Sequence, residues 1–441
     1  MISNERKCFT SGEDIEDSPF LAALVDSTAW ENFLKEKIEK QHLRKTEEEK
    51  IRCFISEQRY LRVASQILAS MESEKNRHCE KITGNGVMPG GNFFPGEVPK
   101  KMIVNKEGTT KKRVVYSYGE DVTITLKFAA HYLNSMEDLL AENCYAFRKS
   151  LGVRDALRRI RNNHPAGTRY CYKADISNYF NTINTEKMIE RLAPVRCRDG
   201  VLYHVLVNIL QREEVVEKGC IIREQHGVMA GIPVAPFLAN LYLRDLDAEY
   251  EERGVEYYRY SDDVLFITDT EEEIQALAEE FRKRLSEEEL CINESKECFF
   301  VPGEAVEFLG FAYRNGKVDL SDNTKRKIKA KIKRKAEALR RWQREKNLMP
   351  DKAAIGFIRA MNRKIYGTGG EDEFTWERWF LPNLTTDTGL KEIDTYMQEY
   401  VRYTVTGRHY KGNYRISYEQ MKAWGYRSMV NVFYKKRKQS I

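Results

Sequence analysis

Two adjacent carboxylates, Asp262 and Asp263, lie in the segment YYRYSDDVLFIT (residues 257–268), between two short runs of aromatic and branched residues. Turn-formers between β-formers predict two strands joined by a tight turn. Paired carboxylates at close range disfavour joint ionisation. A divalent cation removes that conflict, and Mg²⁺, with its hard oxygen ligands and affinity for substrate phosphates, is the usual solution. Read alone, the segment is explained slightly better by an ordinary solvated Asp-Asp turn.

A second acidic feature stands upstream in RYCYKADISNYFNTI (residues 169–183). An apolar-aromatic strand is expected to run into Asp175. A carboxylate at a strand end beside the Ile176 backbone carbonyl makes a natural pair of metal ligands, and Phe180 falls on the wall that a bound sugar would face. Residues 100–118 read as a basic β-hairpin with Lys106 and Arg113 on opposite arms, two cations suited to a triphosphate. Taken alone, these two are explained better by an ordinary solvated hairpin tip. In HGVMAGIPVAPFLANLYL the Gly and Pro residues force a loop before a helix over residues 237–250, and small residues there permit close backbone approach by a nucleotide or template base.

Cations gather elsewhere. Arg148, Lys149, Arg154 and Arg158 line a stretch read as helical from residue 121 to 161. Residues 325–346 form a strongly basic helix in which Lys325, Lys329, Lys333 and Arg340 oppose Ile328, Ile332, Ala336 and Leu339. Such surfaces suit a polyanionic backbone. Near the C-terminus, GRHYKGNYRISYEQMKAWGYRS interleaves bases with aromatics, a composition that suits single-stranded nucleic acid and equally a buried aromatic core.

The elements that must position these residues follow from the chain as a whole. Its 441 residues predict roughly two to four packed units. Residues 1–83 read as helical, with one helix over 46–71, and residues 84–99 as a Gly/Pro-rich linker. No run approaches the ~18 apolar residues of a membrane span, and the N-terminus lacks the order of a secretory signal. Nine cysteines without a C-x-x-C pair, with Cys171, Cys220 and Cys298 beside apolar runs, predict reduced core thiols and a cytoplasmic protein.

The order of these features resembles reverse transcriptases, particularly bacterial ones. ADISNYF is similar to their first acidic motif, GIPVAPFLANLYL to their template-and-nucleotide loop and helix, and YSDD to their Y-x-D-D box. LCINESK is similar to their lysine-bearing motif and FLGF, read as one short strand, to their primer grip. The resemblance implies an α+β right-hand polymerase: fingers and an antiparallel palm at residues 100–320, a helical thumb at 321–366, and added helical regions at 1–83 and 367–441. It implies that Asp175, Asp262 and the Ile176 carbonyl hold two Mg²⁺ (or Mn²⁺) ions with Asp263 in support. It further implies that Lys106 and Arg113 neutralise the triphosphate, Lys296 protonates the leaving group, Phe180 excludes a ribose 2′-hydroxyl, and Gly231 admits the nucleotide.

Two departures stand out: Met229-Ala230-Gly231 replaces the Pro-Gln-Gly of many relatives, and Ala235 stands where Ser is common. With the long terminal extensions, they make the chain look most like the defence-associated and abortive-infection reverse transcriptases, of the unknown-group type. The expected partners are a non-coding RNA template, deoxynucleoside triphosphates and a DNA product, with no membrane and with homo-oligomers open. Alternatives with the same site are a template-independent or protein-primed nucleotidyltransferase and a retron or group II intron-like enzyme. An inactive nucleic-acid-binding scaffold is a further alternative.

Overall fold

The computed structural model describes residues 17–41, 43, 45–80, 97–105, 112–162, 167–367 and 375–439. In chain order its strands are β1 (Lys100–Asn105), β2 (Lys112–Ser117), β3 (Tyr170–Asp175), β4 (Glu214–Glu217), β5 (Cys220–Arg223), β6 (Tyr257–Tyr260), β7 (Asp263–Thr268), β8 (Cys298–Phe300), β9 (Val306–Phe308), β10 (Phe311–Arg314) and β11 (Lys317–Leu320). They form three sheets, ordered β2-β1-β4-β5, β6-β7-β3-β8 and β11-β10-β9, amid many helices. The mixture is the α+β class expected.

The chain divides into two units. The first comprises Met1–Ala156, Tyr172–Phe266 and Gln275–Cys298. Helices Pro19–Val25, Ser27–Gln41, Lys45–Ser56 and Arg59–Glu80 share an aromatic core with helix Glu120–Leu133, in which Trp30 stacks on Phe128 at 4.1 Å. The expected single helix over residues 46–71 is broken where Gln58 takes φ 51. Likewise the helix expected over residues 237–250 is two helices, Ala235–Tyr242 and Arg244–Glu252, meeting at Leu243 (φ −100, ψ 12).

The stretch expected to be helical from 121 to 161 is interrupted more deeply. After helix Glu120–Leu133 and the 3₁₀ turn Asn134–Leu139, the chain leaves the helix until Val153–Asn162. The reason is a competing bonding pattern. Arg259 N–H donates to Asn143 O and Tyr145 N–H donates to Arg259 O, both at 2.9 Å, so this segment lies alongside β6.

Arg259 itself is fully buried. Its Nε donates to Asp247 Oδ1 at 2.8 Å and its Nη2 to Asp247 Oδ2, closing a bidentate pair with helix Arg244–Glu252. The remaining donors reach Ser261 O at 3.3 Å and Asn240 O at 3.2 Å. Tyr257 OH donates to the same Asp247 carboxylate at 2.9 Å. Burial opposes the charge on both partners; for Asp247 it outweighs the guanidinium and holds the carboxyl above its ordinary value.

The second unit comprises Leu157–Cys171, Ile267–Ile274 and Phe299–Ile441. Here FLGF is a hairpin turn rather than a strand. Leu309 (φ 50) and Gly310 (φ 89) are both left-handed and join β9 to β10, a backbone that suits right-handed strand twist. Gly310 O then accepts from Ser321 N–H and Thr324 Oγ1, tying the turn to the start of the basic helix Asp322–Glu345. That helix packs with Pro350–Tyr366 and Thr388–Thr406. The last helix, Met429–Gln439, begins on buried Asp394, whose carboxylate accepts from Met429 N at 3.0 Å, Val430 N at 3.1 Å, Ser428 Oγ at 2.6 Å and Tyr426 OH at 3.0 Å.

Among the described residues no helix is long and apolar enough to cross a membrane. Cys171 is buried as expected, but Cys220 and Cys298 are exposed at strand edges, so they are not core thiols. Because removing one partner strands a buried charge, Arg259→Ala and Asp247→Ala are each expected to cost about 3–5 kcal/mol, and the double variant less than their sum. Urea unfolding of the three proteins measures this.

Candidate functional site

The hairpin β6-β7 is set by cross-strand pairs: Tyr257 faces Phe266, Tyr258 faces Leu265, Arg259 faces Val264 and Tyr260 faces Asp263. The Tyr257 and Phe266 rings lie 4.9 Å apart, in the range of favourable edge or offset contact. The turn proper is therefore Ser261-Asp262, with Ser261 at φ 61, while Asp263 is the first residue of β7. The two carboxylates thus differ in kind, one on a turn and one on a strand.

Asp262 comes to the end of β3 through the backbone: Ile176 N–H donates to Asp262 O at 2.8 Å. On the other side, Asn293 N–H donates to Asp175 O at 2.7 Å, Ser177 N–H donates to Cys291 O at 2.8 Å, and Ile176 bridges Ile292. This clamp carries the short 3₁₀ turn Glu294–Lys296, whose Lys296 Nζ donates to Asp175 Oδ1 at 2.5 Å. Backbone bonds and the Lys296–Asp175 pair thus place Asp175, Ile176, Asp262, Asp263 and Lys296 around the end of β3.

Lys173 was missed, and its Nζ stands 3.5 Å from Asp263 Oδ1. The signal was present in the alternation of YCYKAD, which puts residues 173 and 175 on one face of β3. Burial raises the Asp263 carboxyl to about 6; Lys173 opposes the shift, whereas Asp262 and Asp175 add to it.

Among the described residues, no three acidic, histidine or cysteine side chains are gathered as a ready metal cage. Two ammonium groups instead answer the carboxylates, Lys296 on Asp175 and Lys173 on Asp263. The donor chemistry nonetheless fits Mg²⁺: the acidic atoms are hard oxygens, and a carboxyl raised partly by like-charged neighbours is one that an added cation would relieve.

Around this centre, Phe180 is half-buried at the start of the α-turn Tyr179–Thr182, which Asn178 enters at φ 47. Phe180 meets Phe147 edge-on with ring centroids 6.3 Å apart, and Phe147 also lies 6.3 Å from Tyr260. Phe147, half exposed and left-handed at φ 56, is a second residue that sequence reasoning passed over.

The loop at 227–231 is pinned on two sides. Val228 N–H donates to Phe180 O at 2.8 Å, and Ala230 N–H donates to Asn181 Oδ1 at 3.1 Å. On the other side, Tyr116 N–H donates to Ala230 O at 2.8 Å. Gly231 (φ 105) is indeed a close-approach glycine, but what approaches is β2: a Cβ there would stand 3.0 Å from Tyr116 O. The side on which a Cβ would project is occupied by the protein's own hairpin.

The remaining cations fare unevenly. Arg113 is exposed on β2 opposite Val104, whereas Lys106 lies outside the described residues. Arg148 does not face solvent: its guanidinium donates to Ala141 O at 2.6 Å, Cys144 O at 3.2 Å and Glu137 O at 3.3 Å, so it organises its own loop. Lys149 is half exposed and 3.3 Å from Glu36. Arg154 and Arg158 are exposed on their helix. In the second unit, Lys325 and Lys329 both pair with Glu392, at 3.0 and 2.6 Å. Arg340 donates to Val405 O at 3.1 Å at the end of helix Thr388–Thr406, and Lys333 is exposed.

Residues 98–313 match the family described as reverse transcriptase (RNA-dependent DNA polymerase). No curated protein matches the chain. Similar solved structures include apo telomerase from Candida tropicalis truncated from its C-terminal domain (14% identity, TM-score 0.40, covering 57% of this chain and 59% of that one). Another is telomerase from Candida albicans in complex with a TWJ fragment of telomeric RNA (11% identity, TM-score 0.42, covering 80% of this chain and 67% of that one). The chain thus spans about three-fifths to two-thirds of the length of those structures.

The raised Asp263 carboxyl makes a signed prediction. A proton on Asp263 favours the folded state, so its burial costs stability as pH rises from about 4 through about 6. With divalent cations chelated, Asp263→Asn is expected to match the parent below about pH 4 and to gain stability progressively up to pH 6 to 7. Thermal unfolding across that range measures the difference.

Proposed function

We propose that this chain, which carries a reverse transcriptase domain over residues 98–313 and is on that ground an RNA-directed DNA polymerase, adds deoxynucleotides to a primer 3′-hydroxyl at the Asp175–Asp262 site in bacterial anti-phage defence. The supporting observation is the backbone bond between Ile176 and Asp262, which joins the acidic end of β3 to the acidic turn between β6 and β7.

Asp175, Asp262 and the Ile176 carbonyl would hold two Mg²⁺ ions, with Mn²⁺ as a substitute. When bound, these supply Lewis acidity toward the primer hydroxyl and charge neutralisation of the triphosphate and pyrophosphate. The chain's own groups complete the task. Asp263, balanced by Lys173, fixes the field behind the turn. Lys296 holds a proton at Nζ and passes it to the leaving group. Arg113 and Lys106 take the triphosphate, while Phe180, braced by Phe147, crowds the 2′ position of the incoming sugar. The defence setting rests on the resemblance of the altered loop and flanking regions. With it go a non-coding RNA template, a cytoplasmic location and the option of a homo-oligomer.

Ala230 favours a second reading. Both its main-chain groups are engaged, and a methyl replaces the amide that many relatives present there. Template-independent addition at the same site is compatible with that loss. Extension assays with each deoxynucleotide alone, before and after ribonuclease treatment, separate the two: synthesis that persists without RNA would sink the templated reading.

Three substitutions test the site itself. Asp175→Ala and Asp262→Ala are each expected to lower nucleotide addition by about a thousandfold or more with the fold retained. Phe180→Ala is expected to shift the preference for deoxy- over ribonucleotides downward by roughly ten- to a hundredfold. Single-turnover incorporation measures both, and unchanged rates in the aspartate variants would defeat every polymerase reading.

A further inference from the structure

Residues 407–417, outside the reverse transcriptase domain, join helix Thr388–Thr406 to helix Tyr418–Ala423 through a 3₁₀ turn, Lys411–Arg415. From residue 400 to 418 the chain contains Arg402, Arg408, Lys411 and Arg415 and no carboxylate. Tyr400 is buried, but Tyr410 and Tyr414 are not absorbed by the core. Tyr414 is 68% exposed and Tyr410 48% exposed, the former among the most exposed large side chains described.

These rings are held rather than loose. The Tyr414 ring lies over the Arg402 guanidinium at 4.9 Å, and Arg402 is itself buried, with Nε donating to Ile416 O at 3.3 Å. Buried Asn413 pegs the turn by donating from Nδ2 to Arg408 O at 2.6 Å, while its backbone N–H donates to Tyr410 O at 3.1 Å. Gly412 makes room for the Tyr410 ring, since a Cβ there would stand 2.4 Å from Tyr410 Cε2. His409 is exposed and stacked on Tyr403 at 4.8 Å with an interplanar angle of 12°. Arg408, Lys411 and Arg415 are exposed between the rings.

We propose that residues 407–417 are a stacking platform for single-stranded nucleic acid, with Tyr410 and Tyr414 receiving bases and Arg408, Lys411 and Arg415 receiving phosphates. Preordered rings with exposed surface lose little entropy when a base stacks on them, and interleaved cations match a backbone that places a phosphate beside each base. A duplex keeps its bases stacked on one another and offers these rings nothing. The carboxylate-free stretch also disfavours a basic protein partner.

The test uses the full-length protein without nucleotides or divalent cations. Fluorescence anisotropy follows binding of short oligo(dT), oligo(rU) and a duplex of equal length across a salt series. Photocrosslinking with 5-iodouracil-substituted strands maps the contact. Crosslinks are expected at Tyr410 or Tyr414. The variant Y410A/Y414A should lose about tenfold or more in single-strand affinity and nothing for duplex, and Y410W/Y414W should restore it. The variant R408Q/K411Q/R415Q should instead flatten the salt dependence by a slope of about 2. Loss confined to RNA or to DNA identifies the strand, and equal loss assigns both. Crosslinks absent from residues 407–417, or unchanged single-strand affinity in Y410A/Y414A with unaltered thermal unfolding, would overturn the proposal. None of these readouts depends on polymerisation.

Discussion

One buried guanidinium holds the candidate site together. Arg259 lies in a strand otherwise made of tyrosines, and its planar fork reaches Asp247, Ser261 O and Asn240 O simultaneously. Its own backbone pairs with Asn143 and Tyr145. Helix Arg244–Glu252, helix Ala235–Tyr242, the non-helical stretch near Cys144 and the acidic hairpin thus meet at one residue. Lysine has the charge but not the geometry for such a node. The cost of burying the charge is offset only while every donor finds its acceptor.

Given that node, the electrostatics of the site follow. The Ser261-Asp262 turn is held at its base by Arg259 and at its tip by Ile176, so Asp262 is fixed beside the end of β3. Three carboxylates then share a small region with Lys296 and Lys173. The protein neutralises part of this charge itself, and the rise of Asp263 shows that burial and its acidic neighbours outweigh the compensation. A site in this condition is poised for additional positive charge. Its surroundings are stiff: the 227–231 loop is bonded to Phe180, Asn181 and Tyr116, so its path is set by protein contacts before any ligand arrives.

Local patterns carried far in the sequence. The hairpin at 257–268, the strand ending at Asp175, the basic hairpin and the basic helix expected from residue 325 all follow from turn-formers between β-formers or from apolar periodicity. What the sequence concealed were interactions between distant segments. Nothing near Arg148 announces that its donors turn inward to three carbonyls, and helical propensity at 140–152 gives no hint that Arg259 will claim that backbone. FLGF looks like apolar strand because Leu309, an unusual left-handed residue, is stabilised by its hairpin rather than by its type. Gly231 was recognised as a close-approach position, but which backbone approaches depends on a strand more than a hundred residues away. Sequence reasoning singled out neither Arg259 nor Asp247. Only the fold pairs them.

The fork of Arg259, and not its charge alone, positions the turn that carries the proposed site. Single-turnover nucleotide incorporation by Arg259→Lys tests it most directly, because the variant keeps a cation opposite Asp247 but cannot reach Ser261 O and Asn240 O together. The account predicts a protein that still unfolds cooperatively yet incorporates about a hundredfold more slowly, the loss expected of a turn displaced by about an ångström. Incorporation at the parental rate would contradict it.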